Sequence, residues 1–237
     1  MNKEKKLLER FKKYNWKECK LIGKVKSVTT IKHNLIENFS ELVEDNNIYE
    51  LNKNEYISFN TKGNVIESSA YDNRGIRTVL LIPSYNSKGQ LSDYNYYDNN
   101  DNLMSQCLFE HLKDGNTIEE WIDGKTVIEY HLRKNIIEQL SYDIEDNLVC
   151  RDTYKYDKEG NLIEFCNDLG KTNYIIDLMG NEIEKTQFDL DGSLCEQKKY
   201  KYKLDENKNW IEKNEFLIEN NSEILKTIFE REIIYYE

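Results

Sequence analysis

Apolar and polar positions alternate with a period of two along most of this chain. In Tyr200-Lys201-Tyr202-Lys203-Leu204 the apolar residues are even-numbered and the lysines odd, as a sheet with one wet face requires. Tyr154-Lys155-Tyr156 and Tyr94-Asn95-Tyr96 repeat the pattern. The last segment predicts a longer strand, with Leu225, Thr227, Phe229, Arg231, Ile233 and Tyr235 on one face. Near the amino end Val25, Ser27, Thr29 and Ile31 predict another long strand, expected to pair with Tyr56 to Phe59. Helical spacing occurs at residues 3 to 14, where Leu7, Leu8 and Phe11 predict a short helix capping the first sheet edge.

Between these alternating stretches one phrase recurs: an aromatic or apolar residue, Asp or Asn, two variable residues, Gly or a substitute, a polar residue, then apolar residues. Its clearest copies run Phe59 to Ile66, Tyr156 to Ile163 and Ile176 to Ile183; others begin at Tyr71, Tyr85 and Phe188, and three without Gly at Tyr97, Tyr142 and Leu204. Asp or Asn opens a turn by accepting bonds from backbone amides ahead of it, and Gly or Asn accepts the positive φ that closes a hairpin loop. Each copy therefore predicts one hairpin corner. Corners about a dozen residues apart leave strands of about six to eight residues.

The expected fold is all-β: an antiparallel meander of about a dozen or more short strands, with a short N-terminal helix. Residues 1–22 form the expected cap and residues 23–237 a single repeat-built sheet domain. Twist accumulates across so many strands, so the sheet must curve into a half-shell or fold into two packed layers, and the pattern leaves both open. Seventeen Tyr and eight Phe beside one proline, Pro83, suit such a sheet, because aromatic side chains fit a pleated, half-buried surface.

The phrase Tyr-Asp-x-x-Gly-Asn-x-Ile, strongest at Tyr156 to Ile163, resembles the tyrosine-aspartate (YD) repeat of the rearrangement-hotspot (Rhs) proteins. Gly23 to Thr29, with Lys208-Asn209-Trp210 and Arg231 to Tyr236, is similar to small bacterial proteins that carry such repeats alone. In large Rhs proteins the repeats imply a β-shell around a toxin. This chain lacks the toxin domain and the cleavage segment, so the resemblance implies the fold alone. A fainter similarity, to MORN-like repeat antitoxins, lacks that family's glycine spacing.

Charge narrows the partner. The chain holds 44 acidic and 33 basic residues, a net charge of −11, with both signs interleaved along the strands. Nucleic-acid binding needs a basic stripe to displace counterions, and the densest basic run, Lys198, Lys199, Lys201 and Lys203, alternates with tyrosine as a solvated strand face does. Met1 to Lys17 is too charged for the apolar stretch of a secretory signal. No window approaches the length of a membrane span, and a cytoplasmic location without membrane contact is the expectation. Five scattered cysteines, Cys19, Cys107, Cys150, Cys166 and Cys195, suggest reduced thiols rather than a disulfide framework or zinc knuckle.

Few residues suggest chemistry. Cys107 and His111 would meet on a helix, but on a strand four residues span about 13 Å, too far for a nucleophile and its base. His33 and His131 stand alone. Asp189-Leu190-Asp191-Gly192 resembles the middle of a calcium loop, yet Gln187 and Lys198 occupy its end positions and a turn explains it better. No catalytic, cofactor or metal site is expected, and the chain is not expected to be an enzyme.

Two functional readings follow. In the first, the chain is an acidic protein-binding module, an immunity protein or inhibitor of a basic toxin, nuclease or nucleic-acid-binding effector. Asp98, Asp101, Asp143, Glu145 and Asp146 at hairpin tips would meet that partner, and Trp121 would anchor it. Trp210 is an equivalent candidate, though both tryptophans suit sheet packing. In the second reading, the chain is a scaffolding repeat protein that pairs through an exposed strand edge.

Overall fold

In the computed structural model, residues 15–16, 19–34, 54–72, 74–112, 117–121, 124–131 and 135–237 are described. The helix expected at 3–14 lies outside them, and no described residue is helical. Sixteen strands follow in order: β1 (Val25–Asn34), β2 (Asn54–Phe59), β3 (Val65–Tyr71), β4 (Arg77–Tyr85), β5 (Leu91–Tyr97), β6 (Leu103–His111), β7 (Thr117–Trp121) and β8 (Gly124–His131). They continue as β9 (Ile136–Asp143), β10 (Leu148–Tyr156), β11 (Leu162–Asn167), β12 (Gly170–Ile176), β13 (Glu182–Phe188), β14 (Leu194–Leu204), β15 (Trp210–Glu219) and β16 (Ser222–Tyr235).

Each strand pairs antiparallel with its sequence neighbours, and the meander then closes. β1 pairs with β2 through Ser27↔Ser58, as its alternation predicts, and with β16 through Thr30↔Arg231, so the sheet is a closed ring. The expected curvature is present, and it carries the sheet round to closure. Closure removes the unpaired amides that an open edge would expose.

All nine phrases are corners of one geometry. The opening Asp or Asn amide donates to the carbonyl four residues on, and the residue three positions on donates back, as in Asp157 N to Asn161 O at 2.9 Å and Gly160 N to Asp157 O at 3.1 Å. The fourth residue sits at positive φ: Gly63, Gly75, Gly89, Gly160, Gly180 and Gly192 in six corners, Asp101, Asp146 and Lys208 in the three without Gly. This is a type I turn closed by a left-handed residue and a bulge. The bulge lets the strand-ending aromatic pair with the apolar residue six positions on, as in Tyr156↔Leu162 and Phe59↔Val65.

One face of the ring is concave. The ladders place Glu55, Thr30, Arg231, Phe229 and Lys213 together on this face through Thr30↔Glu55, Thr30↔Arg231 and Lys213↔Phe229. On this inner face Tyr94 meets Tyr96 edge-on at 5.2 Å and Phe109 at 5.1 Å, while Tyr154 packs on Phe165 at 5.0 Å. The buried apolar residues form separate clusters, one around Val25, Val28, Phe59 and Val65 and one around Leu91, Tyr94 and Cys107. About eight strands make a barrel whose side chains fill it, so a ring of sixteen leaves an interior that such clusters line rather than fill.

The expected face of the last strand needs one correction. Glu215 pairs with Thr227 but Phe216 with Leu225, so Lys226 is an extra, bulged residue. Leu225 therefore turns to the face opposite Thr227, Phe229, Arg231, Ile233 and Tyr235.

Candidate functional site

Antiparallel order sends alternate corners to opposite rims of the ring. The corners after β3, β5, β9 and β13 share one rim with the end of β7 and the start of β8; those after β2, β4, β10, β12 and β14 share the other. Consequently the six residues singled out from the sequence come together on one arc. Asp98 and Asp101 lie in the β5–β6 corner, Trp121 ends β7, and Asp143, Glu145 and Asp146 lie in the β9–β10 corner. The Trp121 side chain lies outside what is described.

The two rims differ in charge. On the first, corners 72–76, 98–102, 143–147 and 189–193 carry eight acidic residues against one basic, Arg74. On the second, corners 60–64, 86–90, 157–161, 177–181 and 205–209 carry five acidic residues against four basic, Lys62, Lys88, Lys158 and Lys208.

The opening carboxylates of the acidic rim also hold their turns. Asp98 Oδ1 accepts from the Asn100 and Asn102 amides at 2.8 and 2.9 Å, and Asp143 Oδ1 from those of Glu145 and Asn147, both at 2.9 Å. The side-chain amides of Asn102 and Asn147, seconded by these backbone donors, hold the two carboxyls below the ordinary aspartate range. Both remain ionised at neutral pH. Asp101 forms an ion pair with Arg77 and stays largely exposed. Asn60 makes the same contacts on the other rim, accepting from Lys62 and Asn64 at 3.0 and 3.1 Å, so the turn needs the oxygen and not the charge.

The opposite rim is capped by the segment before β1. Asn15 bridges Asn64, Trp16 N donates to Gly63 O at 3.0 Å, and Trp16 Nε1 donates to Val25 O at 2.6 Å. Lys20 Nζ reaches Gly180 O at 2.5 Å, and buried Asn209 clasps Ile22 through both N and O at 2.7 and 2.8 Å. One short segment thus ties together corners of β2–β3, β12–β13 and β14–β15. Desolvation lowers the pKa of Lys20, against the pull of Glu182, Asp177 and Asp157.

Residues tested for chemistry stay apart. Cys107 and His111 lie on strand β6; the thiol is directed to Leu108 O at 3.8 Å and the His111 ring to Leu91 O at 2.7 Å. Burial pushes the Cys107 thiol up to about 12, which keeps it protonated. Asp189 and Asp191 accept from the amides of Leu190 and Ser193 within their own turn, at 2.7 and 2.8 Å. Among the described residues no group of His, Cys, Asp or Glu could hold a metal ion. No described helix is long and apolar enough to cross a membrane. A shallow groove of about 310 Å³ on the closure seam is lined by a solvent-facing mixture that includes Ile31, Ile211, Lys203, Glu212 and Glu230.

Sequence reading passed over the inner wall of β14 to β16. Tyr202, Trp210 and Phe229 pack there around Lys213 and Arg231. The signal was present: Arg231 stands between Phe229 and Ile233 on a strand face that is otherwise mostly apolar.

No protein-family model matches this chain, and no curated protein matches it. Among solved structures it is similar to a mutant Tc holotoxin pore from Photorhabdus luminescens, at 14% identity and TM-score 0.35, over 85% of this chain and 11% of that one. It is also similar to a porin-like protein from Bacteroides uniformis, at 11% identity and TM-score 0.35, over 89% of this chain and 96% of that one.

Proposed function

We propose that this chain is a non-enzymatic protein-binding module whose acidic rim docks a basic partner, as an immunity protein or inhibitor of a toxin, nuclease or nucleic-acid-binding effector would. The observation that carries the reading is the sorting of charge between the rims, with Asp98, Asp101, Asp143, Glu145 and Asp146 on one arc. A one-signed rim accelerates encounter with a basic surface and repels acidic competitors. The corner phrase supports kinship with YD-repeat proteins in this reading. The scaffolding alternative rests on an exposed strand edge, and in the described ring each strand has a partner on both sides.

The test is affinity capture from the native host, followed by binding measured at rising salt. Asp98→Asn, Asp101→Asn, Asp143→Asn and Asp146→Asn combined should weaken the complex at least tenfold at low salt and flatten its salt dependence. A captured partner that is acidic or neutral and indifferent to salt would overturn the reading.

A further inference from the structure

The two rims differ in their apolar residues as well as in charge. Alternation along β9 from Ile137, which pairs with inner-face Tyr154, puts Tyr142 and its partner Leu148 on the outer face of the ring. The ladder Phe165↔Thr172↔Gln187 likewise puts Phe188 and its partner Leu194 outside. On the opposite rim the matching pairs Phe59↔Val65 and Tyr85↔Leu91 turn inward. Exposure follows the faces: Val65 and Leu91 are 3% and 4% exposed, Leu148 and Leu194 48% and 60%.

The tips repeat the contrast. Ile144 in the β9–β10 corner, Leu169 in the β11–β12 turn and Leu190 in the β13–β14 corner are 76%, 81% and 72% exposed. All three lie on the acidic rim, because β9, β11 and β13 run the same way round the meander. On the opposite rim only corner 177–181 exposes apolar tips, Leu178 and Met179, and that corner is the one Lys20 of the capping segment holds through Gly180 O. Exposed apolar side chains gathered on one surface, rather than scattered singly, mark an interaction site.

Spacing selects the shape of the occupant. Successive turns on one rim stand two strands apart, about 10 Å. Residues seven apart on an α-helix share a face at about the same interval, whereas strand residues three apart span about 10 Å but point to opposite faces. From β9 to β14 the arc crosses five ladders, about 24 Å, the length of roughly 16 helical residues.

Charge selects its composition. Residues 143–149, 168–169 and 189–194 hold six acidic side chains, Asp143, Glu145, Asp146, Asp168, Asp189 and Asp191, and no basic one. The same rim of a second copy would meet it with like charge. A helix with Lys and Arg beside its apolar stripe complements both features.

We infer that the arc formed by Ile144, Leu148, Leu169, Leu190 and Leu194 docks a basic amphipathic helix of a partner protein, with the apolar stripe on these residues and the cations on the carboxylates around them. The inference rests on the reading of the acidic rim as a docking surface and names what that surface recognises.

Fluorescence anisotropy of the full chain with two labelled 18-residue peptides of leucine and lysine, equal in composition, tests this at rising salt. One peptide carries its leucines on a single helical face, and the other has them dispersed. The first should bind at least tenfold more tightly. Ile144→Ser, Leu169→Ser and Leu190→Ser combined alter exposed turn side chains, so the variant should keep the parent Tm and salt dependence and lose the preference. Asp143→Asn with Asp146→Asn should do the reverse, flattening the salt dependence and keeping the preference. Equal, salt-sensitive binding of both peptides overturns the inference and leaves the acidic rim's reading intact; absent or salt-indifferent binding of both removes the two together. A preference that survives in the serine variant also overturns the inference. So does binding to neutral phosphatidylcholine vesicles, or dimerisation in the ultracentrifuge, that the serine variant abolishes, since a lipid surface or a second copy would then be the occupant.

Discussion

Replacing Gly63 by alanine separates the conformational role of a corner from its role in seating the cap. Gly63 has φ +85°, and a Cβ built there would lie 2.5 and 2.6 Å from Cε3 and Cδ2 of Trp16. Gly89 offers the control, with φ +74° and nothing within 4 Å of the same added atom. A left-handed backbone costs an L-residue roughly 1–2 kcal/mol, and both variants bear that cost. Gly63→Ala bears a second. Trp16 is held by its amide on Gly63 and its indole on Val25, so it must break contacts to make room. Overpacking of this kind costs roughly 1–3 kcal/mol. Urea unfolding should therefore show Gly63→Ala less stable than Gly89→Ala by about that range, and acrylamide should quench tryptophan emission more strongly in Gly63→Ala alone. Equal stabilities with unchanged quenching would refute the seating of Trp16 on this corner.

Further outcomes follow from the geometry. Asp143→Asn should preserve stability at neutral pH, because Asn60 fills the same position in another corner, whereas Asp143→Ala should lower Tm by removing the acceptor for two amides. Asn209→Ala should cost roughly 1–3 kcal/mol for each backbone group of Ile22 left unpaired and increase protease cleavage before β1. Stability should peak in mildly acid solution. The raised pKa values of Glu55 and Glu182 contribute stability that is present below about 4.5 and lost as pH rises through their folded values. The lowered values of Asp72, Asp98, Asp143 and Asp191 contribute stability that is present above about 3.8 and lost as pH falls through theirs. Melting curves across pH should show both limbs, and Glu55→Gln with Glu182→Gln should flatten the upper one. Thiol labelling at mildly alkaline pH should modify exposed Cys195 first and leave Cys107 intact until unfolding.

The corners were legible in the sequence because their chemistry is local. Asp157, Gly160 and Asn161 close their turn with atoms four residues apart at most, and Tyr97 and Tyr142 mark corners where Asp101 and Asp146 replace glycine. The pairing of β1 with β2 was legible from alternation. Closure onto β16 was not, because strand number, tilt and stagger decide it and no turn marks that seam. The bulge at Lys226 was hidden for a related reason: a one-residue insertion leaves composition unchanged and reverses only what lies beyond it. The acidic tips were named from the sequence, but their gathering on one rim follows from counting strands. Lys213 escaped notice because its neighbours on the wall, Tyr200 and Phe229, come from other strands.

The seam between β1 and β16 also sets an order of events during synthesis. Thr30 waits for Arg231, 201 residues further along, a delay of roughly 10–40 s at the usual pace of translation. Throughout that interval β1 has a bare flank, and every new hairpin presents another at the growing front. Only the final strand silences both at once, so a stalled or shortened chain would be left with two adhesive sides where the finished ring has none.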